Sequence, residues 1–435
     1  MPVAVGTARL SRTRHQPRPQ PASSALTATG TNAQRPHRIY TQRVSATRRR
    51  LGAGTIIVLA LIAVALVCIV TGVLPPSDAG ALGARIAPVL GFVIAITIVA
   101  ELARDAAVFD VVAQRLARWG QGRVILLWLS VVVLAVISTV FLSLDTTAVI
   151  VTPVVVVLAQ SVGIPPLPFA LVTVWLANTA SLALPVSNLT NLLAARSIGD
   201  DPLAFLALSW APTLVGVLVP VVILTLRHRR TLFGGYRTPT GGAPSDRMLF
   251  WAASAILLLL MPLLALTHDV WIPATVAALV LIVVFGIRRR HVLRLSLVPW
   301  QAIGLAAALF VVVETAHANG ILDFLSVLAT SGHAPAELLR LSAAGALAAN
   351  GVNNLPAYLI LEPTAGDPVA LMALLIGVNL GPLITPWASL ATLLWHHRVV
   401  SLGVEIRWGS LMLWGAIVAV PTVLVATLVL TFVAG

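Results

Sequence analysis

Apolar runs of about twenty residues, enough helix to cross roughly 30 Å of hydrocarbon, recur near 53–73, 85–103, 209–226, 249–266, 271–287, 297–318 and 408–433. Two further regions are apolar but broken. Residues 124–195 are interrupted at 143–148 (SLDTTA) and 185–188 (PVSN), and residues 338–396 at 350–356 (NGVNNLP) and 385–389 (TPWAS). A polar group without a partner in hydrocarbon costs several kcal/mol, so such breaks persist only where protein or water satisfies them. The two regions are also alike. Shifted by 201 residues, 178–194 agrees with its copy at Asn178/Asn379, Leu182/Leu383, Pro185/Pro386, Leu189/Leu390, Leu192/Leu393 and Leu193/Leu394. In a leucine-rich chain the shared proline is the informative match.

The pattern predicts an all-α polytopic membrane protein in which each broken region is a re-entrant hairpin followed by one broken transmembrane helix. The expected divisions are a basic tail (1–50), scaffold helices with an interfacial arm (51–123), a first transport repeat (124–226), a loop (227–247), further scaffold helices (248–335) and a second transport repeat (336–435). Each repeat would hold a hairpin, a broken helix and a closing helix. Residues 103–123 alternate apolar and basic positions at helical spacing, which predicts an amphipathic helix on the membrane surface leading into the first hairpin. It would serve as a connector or as a mechanical arm.

Charge sets the orientation. All 28 basic residues are arginine. With the tail inside, the segments 1–50, 104–123, 227–247, 288–294 and 396–407 hold 10, 4, 5, 4 and 2 of them, leaving Arg85, Arg196 and Arg340 outside. The opposite segments collect Asp78, Asp200, Asp201, Asp269, Asp323, Glu337, Glu362 and Asp367. The N-terminus is then cytoplasmic and the C-terminus external. A full spanning pair in place of either hairpin would leave this alternation unchanged. The two broken regions enter from opposite faces, as an inverted-topology repeat typical of secondary transporters.

Composition agrees, with 58% hydrophobic and 10% charged residues. The net charge of +13 falls on the tail and the cytoplasmic loops, so its partner is the lipid bilayer and no nucleic acid is expected. The acid-free, Arg-rich tail reads as a disordered cytoplasmic segment; its composition also fits an organelle transit peptide or an over-extended start. One cysteine, Cys68, excludes an intramolecular disulfide and a cysteine-clustered metal site. No P-loop, zinc-ligand helix or nucleophile elbow is present, so no enzyme activity, metal or cofactor is expected.

Asp145 is the candidate coupling carboxylate, because it lies at the first hairpin tip, in an apolar region far in sequence from positive charge. The bland alternative is a helix cap. Around it stand Ser143, Thr146 and Thr147 with Ser187, Asn188, Thr190 and Asn191. The counterpart cluster is Asn350, Asn353, Asn354, Thr385, Ser389 and Thr392. Amides and hydroxyls donate and accept, which suits a polyhydroxyl solute or a cation, or else holds helices together. Pro153, Pro185, Pro356 and Pro386 are expected to shape or break helices. Glu314 is expected to make a structural hydrogen bond. His396 and His397 are expected to anchor at the interface with Trp395, as are Trp119, Trp210, Trp251, Trp271, Trp300 and Trp408. No arginine stands at a tip or break, so an anion would depend on helix N-termini and bound cations.

The stretches RLARWGQGR (115–123), LDTTAVIVTPVVV (144–156), NTASLALPVSNLTNLLAA (178–195), ANGVNNLPAYL (349–359) and NLGPLITPWASLATLLWHH (379–397) resemble the arsenite/antimonite efflux permease family. That family sits in an ion-transporter superfamily with divalent-anion/sodium symporters and sodium/proton antiporters. The resemblance covers most of 53–430. It implies a scaffold with a mobile part of two hairpins and two broken helices, and export of neutral arsenic or antimony hydroxide in exchange for protons across a bacterial plasma membrane. In some relatives it implies a soluble ATPase subunit, and by analogy a homodimer. Two departures stand out. Members commonly carry one more spanning helix before residue 53, where this chain has its basic tail. The first tip reads Ser-Leu-Asp-Thr where arsenite permeases more often show Asn-Asp and anion symporters Ser-Asn-Thr. Sodium/proton exchange and anion transport are the rival cargoes; an intramembrane enzyme and a membrane scaffold are the rival classes.

Overall fold

The computed structural model describes residues 53–199, 202–238, 246–267, 269–330 and 332–434. The expected tail (1–50), Asp200, Asp201 and residues 239–245 of the expected loop lie outside the described residues. Helix α1 (Ala53–Val70) and the long α2 (Pro76–Asp105) are followed by α3 (Val108–Trp119). Next come α4 (Val124–Leu142) and α5 (Leu144–Ser161), joined through one residue, Ser143. Helices α6 (Leu167–Thr179) and α7 (Leu189–Ile198) flank an interruption, and α8 (Pro202–Arg227) follows. Three continuous helices, α9 (Arg247–Leu266), α10 (Trp271–Arg288) and α11 (Trp300–Ala318), separate the halves. The second half then holds α12 (Pro335–Val352) and α13 (Asn354–Leu361), joined through Asn353, the interrupted pair α14 (Pro368–Leu380) and α15 (Leu390–Ser401), and α16 (Trp408–Ala434).

The 201-residue offset seen in the residues also separates helix boundaries. Helices α6 and α14 begin and end at the 201-residue offset, and α7 and α15 begin at it. Eight of the described helices are long and apolar enough to cross a membrane: α2, α4, α5, α8, α9, α10, α11 and α16.

Burial follows hydrophobic patterning. Helices α6 and α14 are apolar all round and lie inside, with every residue from Val369 to Leu380 buried. Helices α9, α10 and α16 instead expose Leu258, Leu259, Val276, Val283 and Val420, the face a bilayer would cover. Helix α12 packs on α14, α8 on α16, α1 on α11 and α2 on α10. Small residues allow the closest approaches: a Cβ on Gly377 of α14 would stand 2.2 Å from the Ser342 carbonyl oxygen of α12.

The amphipathic segment differs from the expected single helix over 103–123. Helix α2 runs on to Asp105, Ala107 takes a left-handed conformation (φ 62°), and α3 starts at Val108. Helix α3 buries Val108, Phe109, Ala113 and Ala117 while Arg115 and Arg118 face out. The Tyr236 hydroxyl donates to the Ala117 carbonyl and ties the loop after α8 to this helix.

One anchoring expectation is corrected. Trp395 is fully buried, and its indole N–H donates to the Ala170 carbonyl at 2.9 Å, so it joins α15 to α6 instead of meeting an interface. Its neighbour His396 stacks on Trp408 with ring centroids 4.0 Å apart. Trp119, Trp251, Trp271 and Trp300 are exposed near helix ends, whereas Trp210 is exposed two turns into α8.

Candidate functional site

Two joints of the same construction face each other. Ser143 between α4 and α5 has φ 95° and ψ 160°; Asn353 between α12 and α13 has φ 99° and ψ 152°. A residue with a side chain held there costs about 1–3 kcal/mol, and such strain gathers at functional sites. Both also cap the following helix. Ser143 Oγ accepts from the Thr146 N–H at 3.4 Å, and Asn353 Oδ1 from the Leu355 N–H at 3.3 Å. Behind Ser143, α5 widens into a π-helical stretch over Thr147–Val151. Pro153 follows it; its ring cannot pack against the carbonyl four residues back, and the Thr152 N–H reaches Thr147 instead.

The interruptions are held by asparagine amides. Asn191 Nδ2 donates to the carbonyls of Ser181 (2.7 Å) and Leu184 (3.0 Å). In the second half Asn350 Oδ1 accepts the N–H groups of Ile384 (3.1 Å) and Thr385 (3.0 Å), and its Nδ2 donates to the Gly381 carbonyl (2.8 Å). The Thr385 hydroxyl and the Trp387 indole donate to the Asn350 carbonyl. Backbone groups freed by the helix breaks are thereby paired without water, as a membrane interior requires. Pro185 and Pro386 stand in these breaks. Pro356 lies in the first turn of α13, where the missing N–H costs nothing, and breaks no helix.

Asn379, at the end of α14, links the halves. Its Oδ1 accepts from Asn188 Nδ2 and from the Thr190 hydroxyl, each at 2.8 Å, and its Nδ2 donates to Asn191 Oδ1 at 2.6 Å. All four side chains are buried. Asn379→Leu would strand the Thr190 hydroxyl and Asn191 Oδ1, at about 1–3 kcal/mol for each unsatisfied group. The expected result is a clear fall in the thermal midpoint of the purified protein. An unchanged midpoint would show that the neighbours find other partners.

Between the joints lies a cavity of about 110 Å³. Ser143, Asp145, Asn188, Asn353, Asn354 and Ser389 line it, and α2 (Leu90 to Thr97) and α11 (Ala302 to Leu309) close its other walls. Asp145 is exposed to this space, and no hydrogen bond or ion pair holds its carboxylate among the described residues. Ser389 is fully buried with an unpartnered hydroxyl. Among the described residues no arginine or histidine lines the cavity.

The other expected contacts sit outside the lining. Thr146 donates to the Leu142 carbonyl, Thr147 accepts from Thr139, and Ser187 donates to the Val140 carbonyl. Thr190, Asn191, Asn350 and Thr385 are engaged as described, and Thr392 is buried in α15. Asn379 had shown itself only as a match within the repeat. Thr97 and the α11 wall carried no signal, since they belong to continuous apolar runs.

Among the described residues, eight candidate spans and a small, largely apolar cavity edged by a few convergent polar groups define a multi-pass membrane transporter. The chain belongs to the CitMHS family, described as citrate transporter, whose family model matches residues 48–366. Similar proteins include the arsenical pump membrane protein of Escherichia coli (strain K12), 29% identical over 388 residues, which span 83% of this chain and 90% of that one. A protein of the same description from Yersinia enterocolitica is 28% identical over 360 residues, 76% of this chain and 83% of its own. Among solved structures, the YdaH transporter of Alcanivorax borkumensis superposes with a TM-score of 0.53 at 16% identity, covering 82% of this chain and 87% of that one, a likeness of fold. The resemblance read from the motifs is borne out.

Proposed function

We propose that this protein is a proton-coupled secondary transporter that exports arsenite or antimonite across a bacterial plasma membrane, with Asp145 as the coupling carboxylate. Its α4–α5 and α12–α13 pairs are re-entrant hairpins, and α6–α7 and α14–α15 are broken transmembrane helices. The two sets form an inverted-topology repeat moving against a scaffold of α1, α2 and α9–α11, with the N-terminus cytoplasmic and the C-terminus outside. The shared 201-residue offset and the convergence of both strained joints on one cavity support this architecture.

The observation that carries the substrate reading is the lining: one carboxylate, three amides and the hydroxyls of Thr97, Ser143 and Ser389, with no cationic side chain among the described residues. A neutral trihydroxide can be held by such donors and acceptors. A citrate-like polyanion would meet the Asp145 charge with no compensating cation. At about 110 Å³ the cavity is also well below the roughly 300–1,000 Å³ of pockets for larger ligands. The family description keeps organic-anion transport as the second reading. A soluble ATPase subunit and a homodimer, implied by the resemblance, are additions that the exchange itself does not require.

Arsenite accumulation in bacteria lacking their own efflux permease tests the assignment. Expression of this chain is expected to lower cellular arsenite. Unchanged accumulation, with the protein present in the membrane, would overturn the arsenite reading. Citrate uptake into proteoliposomes would then be the next measurement.

A further inference from the structure

Two charges that fit the topology poorly come together in space. Arg85 stands in the apolar outer half of α2, and Glu314 lies within α11. In place of a structural hydrogen bond, Glu314 faces a cavity of about 440 Å³ at the Pro76 end of α2 and the Ala318 end of α11. Its charged lining is Arg85, Glu314, His317 and Glu362. Glu314 and His317 are three residues apart and share one helix face. Arg85 and Glu362 form an ion pair. Glu314 has no hydrogen-bond or ion-pair partner among the described residues.

His317 has a defined tautomer. Its Nε2 lies 3.1 Å from the Leu359 carbonyl oxygen, which can only accept, so Nε2 carries the hydrogen and Nδ1 is left to take a proton. The buried Tyr358 hydroxyl, one turn before Glu362, lies within electrostatic reach of Glu362 and Arg85. Elements packed around the cavity carry Cys68 (α1), Arg196 (α7), Asp323, and Glu337 and Arg340 (α12), none of which lines it. Among the described residues no group of three His, Cys, Asp or Glu could hold a metal ion.

Position gives the pair its meaning. The helices that wall the Asp145 cavity also wall this one. Leu90 of α2, Leu309 of α11 and Leu355 of α13 line the first; Arg85, Glu314 and Leu359 line the second. Four or five residues separate the two on each helix, about 6–8 Å of helical rise. The cavities therefore stack along one seam. That seam is bridged twice, by Arg85–Glu362 and by His317–Leu359.

We propose that Glu314 and His317 form a second proton-binding site, an outer station that takes up external protons and passes them along the seam toward Asp145. A proton arriving from outside binds Nδ1 of His317 or the Glu314 carboxylate. It leaves inward through water to the Asp145 carboxylate, and is released to the cytoplasm as substrate moves out. The Arg85–Glu362 pair holds the scaffold against the mobile part while the station loads. This inference rests on the proton-exchange reading above and on its orientation.

Two measurements on the full chain in liposomes test it. The first needs no substrate: infrared difference spectra on acidification of wild type, Glu314→Gln and His317→Gln. The protonated-carboxyl signal of wild type is expected to lose one component band in Glu314→Gln and to have that band displaced in His317→Gln. A band untouched by both substitutions overturns the site. The second compares arsenite movement driven by a pH gradient with arsenite/arsenite exchange at equal pH. Either variant is expected to lower the driven mode by about 100-fold, the lower range for loss of a positioned proton donor, and to leave exchange near wild type. Loss of both modes together would mark a structural role and overturn the proposal, as would loss of neither. A wild type that moves no arsenite in either mode sinks the arsenite assignment, while the infrared result still decides the proton site.

Discussion

Asp145→Asn is expected to bring proton-driven arsenite export to background, a fall of about 100-fold or more, the range in which loss of a positioned proton carrier shows itself. The substitution is nearly isosteric, and the carboxylate it replaces makes no hydrogen bond or ion pair among the described residues. The protein should therefore reach the membrane in normal amount. The reason for the large effect is position. Asp145 is the acidic side chain among the described lining of the central cavity, in the first turn of α5 between the strained cap Ser143 and the π-helical stretch. An asparagine there can still hydrogen-bond a hydroxyl but cannot carry a proton. Export and proton movement measured together in everted vesicles would check it. Wild-type proton-driven export by the variant would remove Asp145 from the coupling mechanism.

Gly415→Ala is expected to have the largest effect on stability. A Cβ at this position of α16 would lie 1.9 Å from the Leu383 carbonyl oxygen and 2.7 Å from its carbon. Both atoms are backbone, in the interruption between α14 and α15, so no side chain can swing aside. Overpacking of a filled interior costs about 1–3 kcal/mol, and more where the neighbour cannot move. Nearby Gly409, also in α16, has nothing within 4 Å of its would-be Cβ. Gly409→Ala should be neutral or stabilising, by up to about 1 kcal/mol through the better helix propensity of alanine. Thermal unfolding of the two purified variants, side by side, makes the comparison. Equal midpoints would mean that α16 shifts away from the interruption at little cost.

The asparagines mark the boundary of what the residues alone could say. Asn188, Asn191, Asn350, Asn353 and Asn354 were all legible as polar groups in apolar surroundings, suited either to meet cargo or to hold helices together. An amide that clamps a backbone and an amide that lines a cavity are the same side chain. Asn350 and Asn191 spend their hydrogen bonds on the interruptions, whereas Asn188, Asn353 and Asn354 reach the cavity. Which role each takes depends on where a carbonyl freed by a helix break points. That follows from the packing of segments more than thirty residues apart, as between Asn350 and Ile384. Trp395 went astray for a related reason: its place after an apolar run looked interfacial, but α6 runs alongside and offers the Ala170 carbonyl.

The sequence by itself determined the class of protein, the spanning runs, the two interrupted regions and their 201-residue kinship, because hydrocarbon allows no unpaired backbone and so writes length and polarity directly into the chain. It also singled out Asp145. Tertiary structure alone decided which polar groups share the cavity, that α2 and α11 close it, that Asn379 joins the halves, and that Arg85 meets Glu362 across 277 positions. Those are contacts between elements distant in sequence, and periodicity along a chain carries no record of which face of one helix will meet which face of another.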